Sequence, residues 1–594
     1  MRTPRHPWGQ TPKGGDPGTS PTAENHAAPP GLLGKPFISL VLYLTCLGVG
    51  ICIAVGFIVP SIDVRYPYGN DTAGYLEQAA ELLAGHIPMA TPWGIRPYTV
   101  ELAPSENHPP GYPILIAIVS RLFKVDPATA GLSVTRACWA ASFPVIVYGL
   151  IPSFGLLPAI VVASLALASP SFYEFGFGAL SDLPFFFFST LSLAFLFRAL
   201  VGDRGYLLPL LSGVLAGLAY AIRNSGMATL VGVAAGMTFT LVARLIPLRR
   251  GARITGWWSA GAVLGLLPTI AYNIAFFGAP IPYHVDPSTT YPPIVSIRVY
   301  LADLLLDLTA LKPIATLAWS KWGFALILVP LAGYFAWRLV TRFRGLPSHS
   351  RTTVVILGSV IGAGSAMVII AHSYYELDPG YLIRHVMPYS WMVLALVALG
   401  LPTARHPRIN PWVLAVVTVL LTTRIAYAVI DLRKEVQLQQ VLAGHDDIAA
   451  AVASADPNVL LTNSLRVAVA NDDGLIAAIR ALPADAFLVS NSGCLLRLTT
   501  GRRVRTVELS RLADTDRFLT QVTEGVPHIP AHRAVYAIVC LTNGIARGDD
   551  ARHWKDHMRE KLPPTIEVEK ETPTGLVLRV RGTDRERPVP ATGA

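Results

Sequence analysis

The sequence has few charged residues and no nucleotide-binding loop. Only 14% of its 594 residues are charged, whereas an average soluble protein has about 25%. It contains no G-x-x-x-x-G-K-[ST] loop and no G-x-G-x-x-G loop after a strand. The low charge argues against a soluble globular protein. The missing loops remove support for nucleotide-driven transport and for a soluble nucleotide-sugar domain.

Cysteine is also scarce. The five cysteines form no CxxC pair and no Cys/His cluster with zinc spacing. Cys46, Cys52 and Cys138 lie in apolar segments, where cysteine behaves as a small hydrophobic residue. Cys494 and Cys540 share the C-terminal region, so a disulfide between them is one alternative if that region faces an oxidising compartment.

Long apolar runs dominate the first two thirds of the chain. Hydrophobic residues make up 52% of the sequence, and the mean hydropathy is +0.47. Because a span needs roughly 20 apolar residues, we predict a polytopic α-helical membrane protein with about eleven transmembrane helices. The predicted spans are 37–59, 133–150, 156–171, 182–200, 206–222, 226–246, 256–277, 319–340, 352–372, 386–402 and 410–430.

The segment 112–123 is apolar but too short to span, so we place it flat at the membrane interface. With this placement, arginines collect in the cytoplasmic loops, as the positive-inside rule requires. The net charge of +10 therefore indicates membrane orientation rather than nucleic-acid binding. The arginines are Arg198, Arg204, Arg244, Arg249, Arg250, Arg253, Arg338, Arg342, Arg344, Arg351, Arg405 and Arg408.

The predicted topology divides the chain into three parts. Residues 1–36 read as a disordered cytoplasmic tail, because they are rich in Pro, Gly, Thr and His. Residues 37–431 form a membrane domain that begins with an uncleaved signal anchor and has its first outer loop at 61–111. The odd number of spans places residues 432–594 outside, as an extracytoplasmic soluble α/β domain.

Composition predicts the elements of this outer domain. The segment 436–455 is typical of a helix, and three short apolar runs are typical of strands. We identify no nucleophile or metal constellation in the domain. The predicted strands are 486–490, 535–541 and 576–580.

Two acidic residues are predicted to meet at the outer membrane face. Asp71 follows the first span, and Asp182 opens the span 182–200 from outside. Such carboxylates can act as a general base toward a hydroxyl, or hold a hard divalent cation beside a phosphate. The alternatives are a solvated loop or capping acid for Asp71 and a helix N-terminal charge for Asp182. Glu174 is more readily explained as structural.

Basic residues are predicted at the same face. Arg223 ends the span 206–222, and Arg384-His385 precedes the span 386–402. The planar guanidinium suits phosphate because it forms paired charge-assisted hydrogen bonds. An arginine at a span end also commonly extends to the lipid headgroups. His108 precedes Pro109-Pro110 and could bind a phosphate or a sugar, or simply lie at the interface.

An ordered set of motifs resembles the GT-C superfamily of membrane glycosyltransferases. The resemblance is to the family-39-like group, which includes protein O-mannosyltransferases and lipid A aminoarabinose transferases, and it covers about residues 37–510. The motifs are Asn70-Asp71-Thr72-Ala73-Gly74-Tyr75, His108-Pro109-Pro110-Gly111-Tyr112-Pro113, Ser169-Pro170, Leu180-Ser181-Asp182, Gly217-Leu218-Ala219 to Arg223, Tyr381 to Pro388, and Leu498-Thr499-Thr500-Gly501-Arg502-Arg503.

The resemblance implies an enzyme that takes a sugar from a polyprenyl-phosphate donor. It would pass the sugar to a lipid, glycan or protein acceptor outside a bacterial-type plasma (inner) membrane, in contact with membrane lipids and without nucleic acid. Asp71 would be the catalytic base and Asp182 a second acidic residue of the site. The residues expected to bind substrate are Tyr75, His108, Arg223, Arg384 and His385.

One departure from the family pattern bears on metal use. Many members carry Asp-Glu in the first loop, whereas this chain has Asp71-Thr72. No cofactor is therefore certain, although a divalent cation such as Mg or Mn could take part. Two non-enzymatic alternatives are a transporter or flippase of lipid-linked sugars and an inactive scaffold. A transporter would place ionisable residues near mid-membrane and often shows repeat symmetry.

Overall fold

A computed structural model describes most of the membrane domain and the core of the outer domain. The described residues are 70–85, 109–176, 178–202, 205–280, 292–310, 329–374, 382–400, 419–420, 422–424, 426, 468–469, 472–502, 504–506, 509, 512–524, 534–541, 545 and 553–581. The predicted tail 1–36, the first span 37–59, the helix 436–455 and His108 lie outside these ranges.

Helices make up the described part of the membrane domain. In chain order they are α1 (Asn70–Leu83), α2 (Gly111–Phe123), α3 (Pro127–Phe154), α4 (Leu156–Leu167), α5 (Pro170–Gly176), α6 (Asp182–Val201), α7 (Leu207–Ile222), α8 (Gly226–Val242), α9 (Leu248–Phe277), α10 (Pro293–Thr309), α11 (Val329–Phe343), α12 (Ser348–Tyr374) and α13 (Leu382–Gly400).

Four described helices are long and apolar enough to cross a membrane, and they make the chain an integral membrane protein. They are α3, α6, α9 and α12. Four further apolar helices are shorter, including α2, which we predicted to lie at the interface. The predicted span 156–171 is divided between α4 and α5. The division falls just before Pro170, which lacks the amide hydrogen needed to continue α4 and starts α5 instead.

Glycines let two of the helices approach until their backbones touch. A β-carbon on Gly213 of α7 would lie 2.0 Å from the Trp258 carbonyl oxygen of α9, and one on Gly217 would lie 2.7 Å from the Gly265 α-carbon. Spacing small residues four apart is a common way for membrane helices to pack closely. This contact fixes the end of α7, where Arg223 lies.

Aromatic packing supports the segment that leads into α6. Phe172 of α5 lies edge-on against Phe186 of α6, with ring centroids 4.7 Å apart. Both side chains are fully buried, and Trp139 of α3 packs against Phe172. The short α5 is thereby held against the first turn of α6, which begins at Asp182.

The outer domain contains a five-stranded mixed sheet with strand order β2-β1-β3-β5-β4. β1 is parallel to β2 and β3, and β5 is antiparallel to β3 and β4. The elements are α14 (Asp473–Ala481), β1 (Phe487–Ser490), α15 (Gly493–Thr500), β2 (Val504–Thr506), α16 (Thr515–Glu524), β3 (Val535–Cys540), α17 (Trp554–Lys561), β4 (Ile566–Glu571) and β5 (Gly575–Val580).

Three of these strands match the predicted apolar runs, and two were missed. β2 has only three residues, too few to show a pattern. β4 reads Ile-Glu-Val-Glu-Lys-Glu and lies at the sheet edge, where charged side chains are favoured. The central strand β3 is buried throughout, which explains its continuous apolar run.

Cys540 is a free and fully buried thiol, so the alternative disulfide with Cys494 is not formed. Burial raises the pKa of the Cys540 thiol to about 12, which keeps it protonated and unreactive. Its backbone is fixed instead by Asn491, whose amide accepts from the Cys540 N–H and donates to the Cys540 carbonyl, both at 2.8 Å.

Asp472 connects α14 to the turn before β5. One carboxylate oxygen caps α14 by accepting from the Leu475 amide at 2.9 Å, and the other accepts from the Thr574 hydroxyl at 2.7 Å. Burial opposes ionisation of Asp472, but these hydrogen bonds outweigh it and hold the pKa of the carboxyl below its usual value. The ionised carboxylate therefore stabilises the fold.

Replacing Asp472 with alanine is expected to lower the free energy of unfolding by about 0.5–2 kcal/mol, the usual loss for a helix cap. Because the folded pKa is depressed, this stabilisation is present above the unfolded pKa of about 3.9 and is lost as the pH falls through the folded value. Thermal unfolding of the full chain at several pH values should show the difference shrinking below about pH 4. Asp473→Ala, at the exposed neighbouring position, is the control and should lower the free energy of unfolding at neutral pH by less than Asp472→Ala does.

Candidate functional site

The candidate site is built around a buried carboxylate at the start of α6. Asp182 is the first residue of this helix and is 1% exposed. It follows a compact turn in which the Leu180 amide donates to the Gly178 carbonyl at 2.9 Å. This agrees with the prediction that Asp182 opens the span 182–200. A buried carboxylate without partners would be costly, so groups that pair with it are expected close by.

Two arginines bind the same oxygen of this carboxylate. Arg384 donates from Nε to Asp182 Oδ1 at 2.9 Å, and Arg223 Nη1 lies 3.0 Å from the same atom. Arg223 occupies the residue that ends α7, and Arg384 lies in the first turn of α13. His385 also interacts electrostatically with Asp182. The fold therefore brings one carboxylate and two guanidinium groups together from the ends of three separate helices.

The charges of this cluster do not cancel. One carboxylate and two guanidinium groups leave a net positive charge of one in a largely buried site. The second oxygen, Asp182 Oδ2, is buried and has no hydrogen-bond partner among the described residues. Within the same described part of the chain, Thr72 Oγ1 on α1 is likewise buried without a partner. Because buried polar atoms are nearly always paired, the excess positive charge and the unpaired oxygens suit an anionic ligand that also carries hydroxyl groups.

Tyr75 joins α1 to this cluster through a residue that sequence reasoning had not assigned to the site. The Tyr75 hydroxyl lies 2.8 Å from Ser181 Oγ, and Arg223 Nη1 donates to the same Ser181 oxygen at 3.2 Å. Ser181 is fully buried. Its only signal in the sequence was its place before Asp182 in the Leu180-Ser181-Asp182 motif.

The other predicted site residues are placed only in part. Asp71 lies in the first turn of α1, four residues before Tyr75, and its side chain lies outside the described part. The same holds for Glu174 in α5, whereas His108 falls wholly outside the described ranges. Of the predicted set, the structure thus brings together Tyr75, Asp182, Arg223, Arg384 and His385.

The described side chains do not form a metal centre among themselves. No group of three His, Cys, Asp or Glu side chains converges within the described ranges. The one described carboxylate of the site already faces two arginines, whose positive charge opposes a cation. A divalent cation here would need ligands from residues whose side chains are not described.

A family model matches the central part of the membrane domain. Residues 107–276 match the model of a family described as dolichyl-phosphate-mannose-protein mannosyltransferase. The matched region contains Asp182 and Arg223. No curated protein compared with the sequence matches it significantly.

Solved structures extend the similarity to nearly the whole chain. ArnT from Cupriavidus metallidurans in the apo state covers 91% of this chain and 97% of its own, with a TM-score of 0.51 and 16% identity. The chain has the GT-C fold. A second ArnT structure, bound to undecaprenyl phosphate, covers 92% of this GT-C protein and 98% of its own chain, with a TM-score of 0.50 and 14% identity.

An archaeal protein shows the same GT-C fold. AglB from Archaeoglobus fulgidus, an oligosaccharyltransferase in complex with an inhibitory peptide and a dolichol-phosphate, covers 85% of this chain and 70% of its own. The TM-score is 0.50 and the identity 11%. The resemblance inferred from the ordered motifs is therefore confirmed at the level of the fold.

Proposed function

We propose that this GT-C protein is an inverting membrane glycosyltransferase. It moves a sugar from a polyprenyl-phosphate donor to a hydroxyl of a lipid, glycan or protein acceptor at the extracytoplasmic face. The observation that carries the proposal is the buried Asp182 between Arg223 and Arg384, with its net positive charge beside the helix of Asp71. Two of the similar structures were determined with undecaprenyl phosphate or a dolichol-phosphate bound.

The reaction needs one base and one stabiliser of the leaving group. Asp71 takes the proton of the acceptor hydroxyl as its oxygen forms a bond to the anomeric carbon. The bond between that carbon and the phosphate oxygen breaks at the same time, and its electrons remain on the polyprenyl phosphate. Arg223 and Arg384, together with His108, stabilise the growing negative charge of the phosphate.

In this mechanism Asp182 orients the two arginines. It holds one nitrogen of each guanidinium through a single oxygen, Asp182 Oδ1, and so keeps both positive charges beside the position proposed for the phosphate. His385 completes the substrate site. Apolar grooves between the spans hold the prenyl chain.

The outer domain, residues 432–594, lies on the extracytoplasmic side in this proposal and positions the acceptor. Its helix α15 contacts α1, the helix that carries Asp71. An acceptor bound by the outer domain would therefore be delivered beside the proposed base. In this proposal the membrane domain 37–431 binds the donor and supplies the base, and the outer domain binds the acceptor.

Replacing Asp71 with asparagine tests the proposed base. The variant should fold and insert normally, because asparagine has almost the same shape, but it cannot accept the proton. We expect sugar transfer to fall by about 10²–10⁴-fold, the usual contribution of a general base. The measurement is transfer of labelled sugar from a polyprenyl-phosphate donor by purified protein in nanodiscs.

The matched control is Asp126→Asn. Asp126 caps α3 by accepting from the Ala128 and Thr129 amides, and asparagine caps helices about as well as aspartate. This variant should keep normal turnover. Near-normal turnover of Asp71→Asn would show that Asp71 is not the base.

A further inference from the structure

We propose that Ser181 is a positioning residue that sets the distance between the base and the leaving-group site. Its hydroxyl links Tyr75, on the helix of Asp71, to Arg223, one of the two arginines. The inference rests on the proposed function and changes the role of Tyr75 from binding substrate to holding α1 in place. Neither Ser181 nor Tyr75 needs to touch the sugar.

The spacing on α1 makes Tyr75 a suitable anchor for Asp71. Residues four apart on a helix lie on the same face, one turn from each other, and Asp71 and Tyr75 both belong to α1. Tyr75 is 1% exposed, and its hydroxyl lies 2.8 Å from Ser181 Oγ. This bond therefore fixes the face of α1 that carries position 71.

The other side of Ser181 faces the arginine pair. Arg223 Nη1 lies 3.2 Å from Ser181 Oγ and 3.0 Å from Asp182 Oδ1. A serine hydroxyl has one donor and two acceptor sites, which is enough to bond the tyrosine and the arginine at once. A single buried hydroxyl thus connects α1 with the end of α7.

A second tyrosine offers a control of closely matched chemistry. Tyr112 packs edge-on against Tyr75 with ring centroids 5.0 Å apart, and it is also fully buried. Its hydroxyl lies 2.8 Å from Thr135 Oγ1 and donates to the Gly131 carbonyl at 3.1 Å, and neither of these described bonds reaches an arginine. Removing either phenolic hydroxyl breaks buried hydrogen bonding, but only the bond of Tyr75 leads to an arginine.

The test compares Tyr75→Phe, Ser181→Ala, their double variant and Tyr112→Phe in the full chain in nanodiscs. Tyr75→Phe and Ser181→Ala should each lower kcat for transfer about tenfold, since small displacements of a catalytic group are costly. The KM for the donor should change by less than about twofold, because Arg223 and Arg384 keep Asp182 as partner. The double variant should be no slower than the slower single variant, because both changes break the same link.

Tyr112→Phe should lose at least as much thermal stability as Tyr75→Phe, because its hydroxyl has two described hydrogen bonds, but should keep its kcat. The proposal is overturned if Tyr75→Phe and Tyr112→Phe have equal kcat, or if the effects of Tyr75→Phe and Ser181→Ala multiply in the double variant. Asp71→Asn is measured alongside. If Asp71→Asn is inactive and the two tyrosine variants are equal, positioning by Ser181 fails alone. If Asp71→Asn or the wild type contradicts the proposed function, the inference fails with it.

Discussion

Replacing Arg384 with glutamine is expected to lower kcat/KM for sugar transfer by about 10²–10³-fold, the usual loss when one stabiliser of developing charge is removed. Arg384 donates to Asp182 Oδ1 at 2.9 Å and brings positive charge from α13 to the site. Without it, the net charge of the described cluster falls from plus one to zero. The departing phosphate then loses half of the described guanidinium charge. Steady-state kinetics with a labelled donor measures the loss.

Asp182 should remain held in this variant, because Arg223 still lies 3.0 Å from its carboxylate. The control is Arg198→Gln at the opposite end of α6. Arg198 donates to the Tyr148 carbonyl and lies over the Tyr148 ring, so it is also a partly buried arginine with a structural contact. Arg198→Gln should keep its kcat/KM. If the two variants had equal kcat/KM, Arg384 would have no part in sugar transfer.

Replacing Arg424 with methionine is expected to destabilise the fold by about 3–5 kcal/mol, because several buried carbonyl groups lose their donor at a cost of about 1–3 kcal/mol each. Arg424 is fully buried and donates to the backbone carbonyls of Leu165, Asp307 and Leu308, the Asp307 contact measuring 2.7 Å. It thereby binds the C-terminal ends of α4 and α10. Thermal unfolding of the purified protein in detergent measures the loss.

The Asp307 carboxylate, which interacts electrostatically with Arg424, adds to this effect. Asp307 is fully buried, and its Oδ1 accepts from the Ser169 and Ser171 hydroxyls. Without Arg424 this charge has no described cation beside it. The double variant Asp307→Asn with Arg424→Met should therefore regain part of the lost stability. An unchanged melting temperature in Arg424→Met, or a double variant less stable than the single one, would contradict this account.

The sequence predicted the charged site better than the polar contacts around it. Asp182, Arg223 and Arg384 could be found because each is an ionisable residue in a motif beside a long apolar run, and the predicted alternation of spans places all three at one face. Ser181 and the inward orientation of Tyr75 could not be found, because a serine or tyrosine hydroxyl at a helix end has no distinctive pattern. Only the tertiary contact between α1 and the start of α6 reveals their role.

The same limit explains the parts of the fold that were missed. Helix α10 lies between the predicted spans 256–277 and 319–340, where we predicted no span. Its apolar run is interrupted by Arg298, Asp303 and Asp307. The structure buries Asp307 against two serines and Arg424, contacts that are distant in sequence. The structure contains helices where long apolar runs predicted them. The break before Pro170 was missed, because it depends on a single residue inside an apolar run.

The most direct test of the central claim is consumption of a lipid-linked sugar by the purified protein. Wild type and Asp71→Asn, in nanodiscs with cell-envelope extract, would be given a panel of radiolabelled polyprenyl-phosphate sugars. The account predicts that wild type consumes one donor and releases polyprenyl phosphate, while Asp71→Asn leaves that donor intact. Specific binding of a donor without any consumption by wild type would contradict the account and indicate a transporter of lipid-linked sugars.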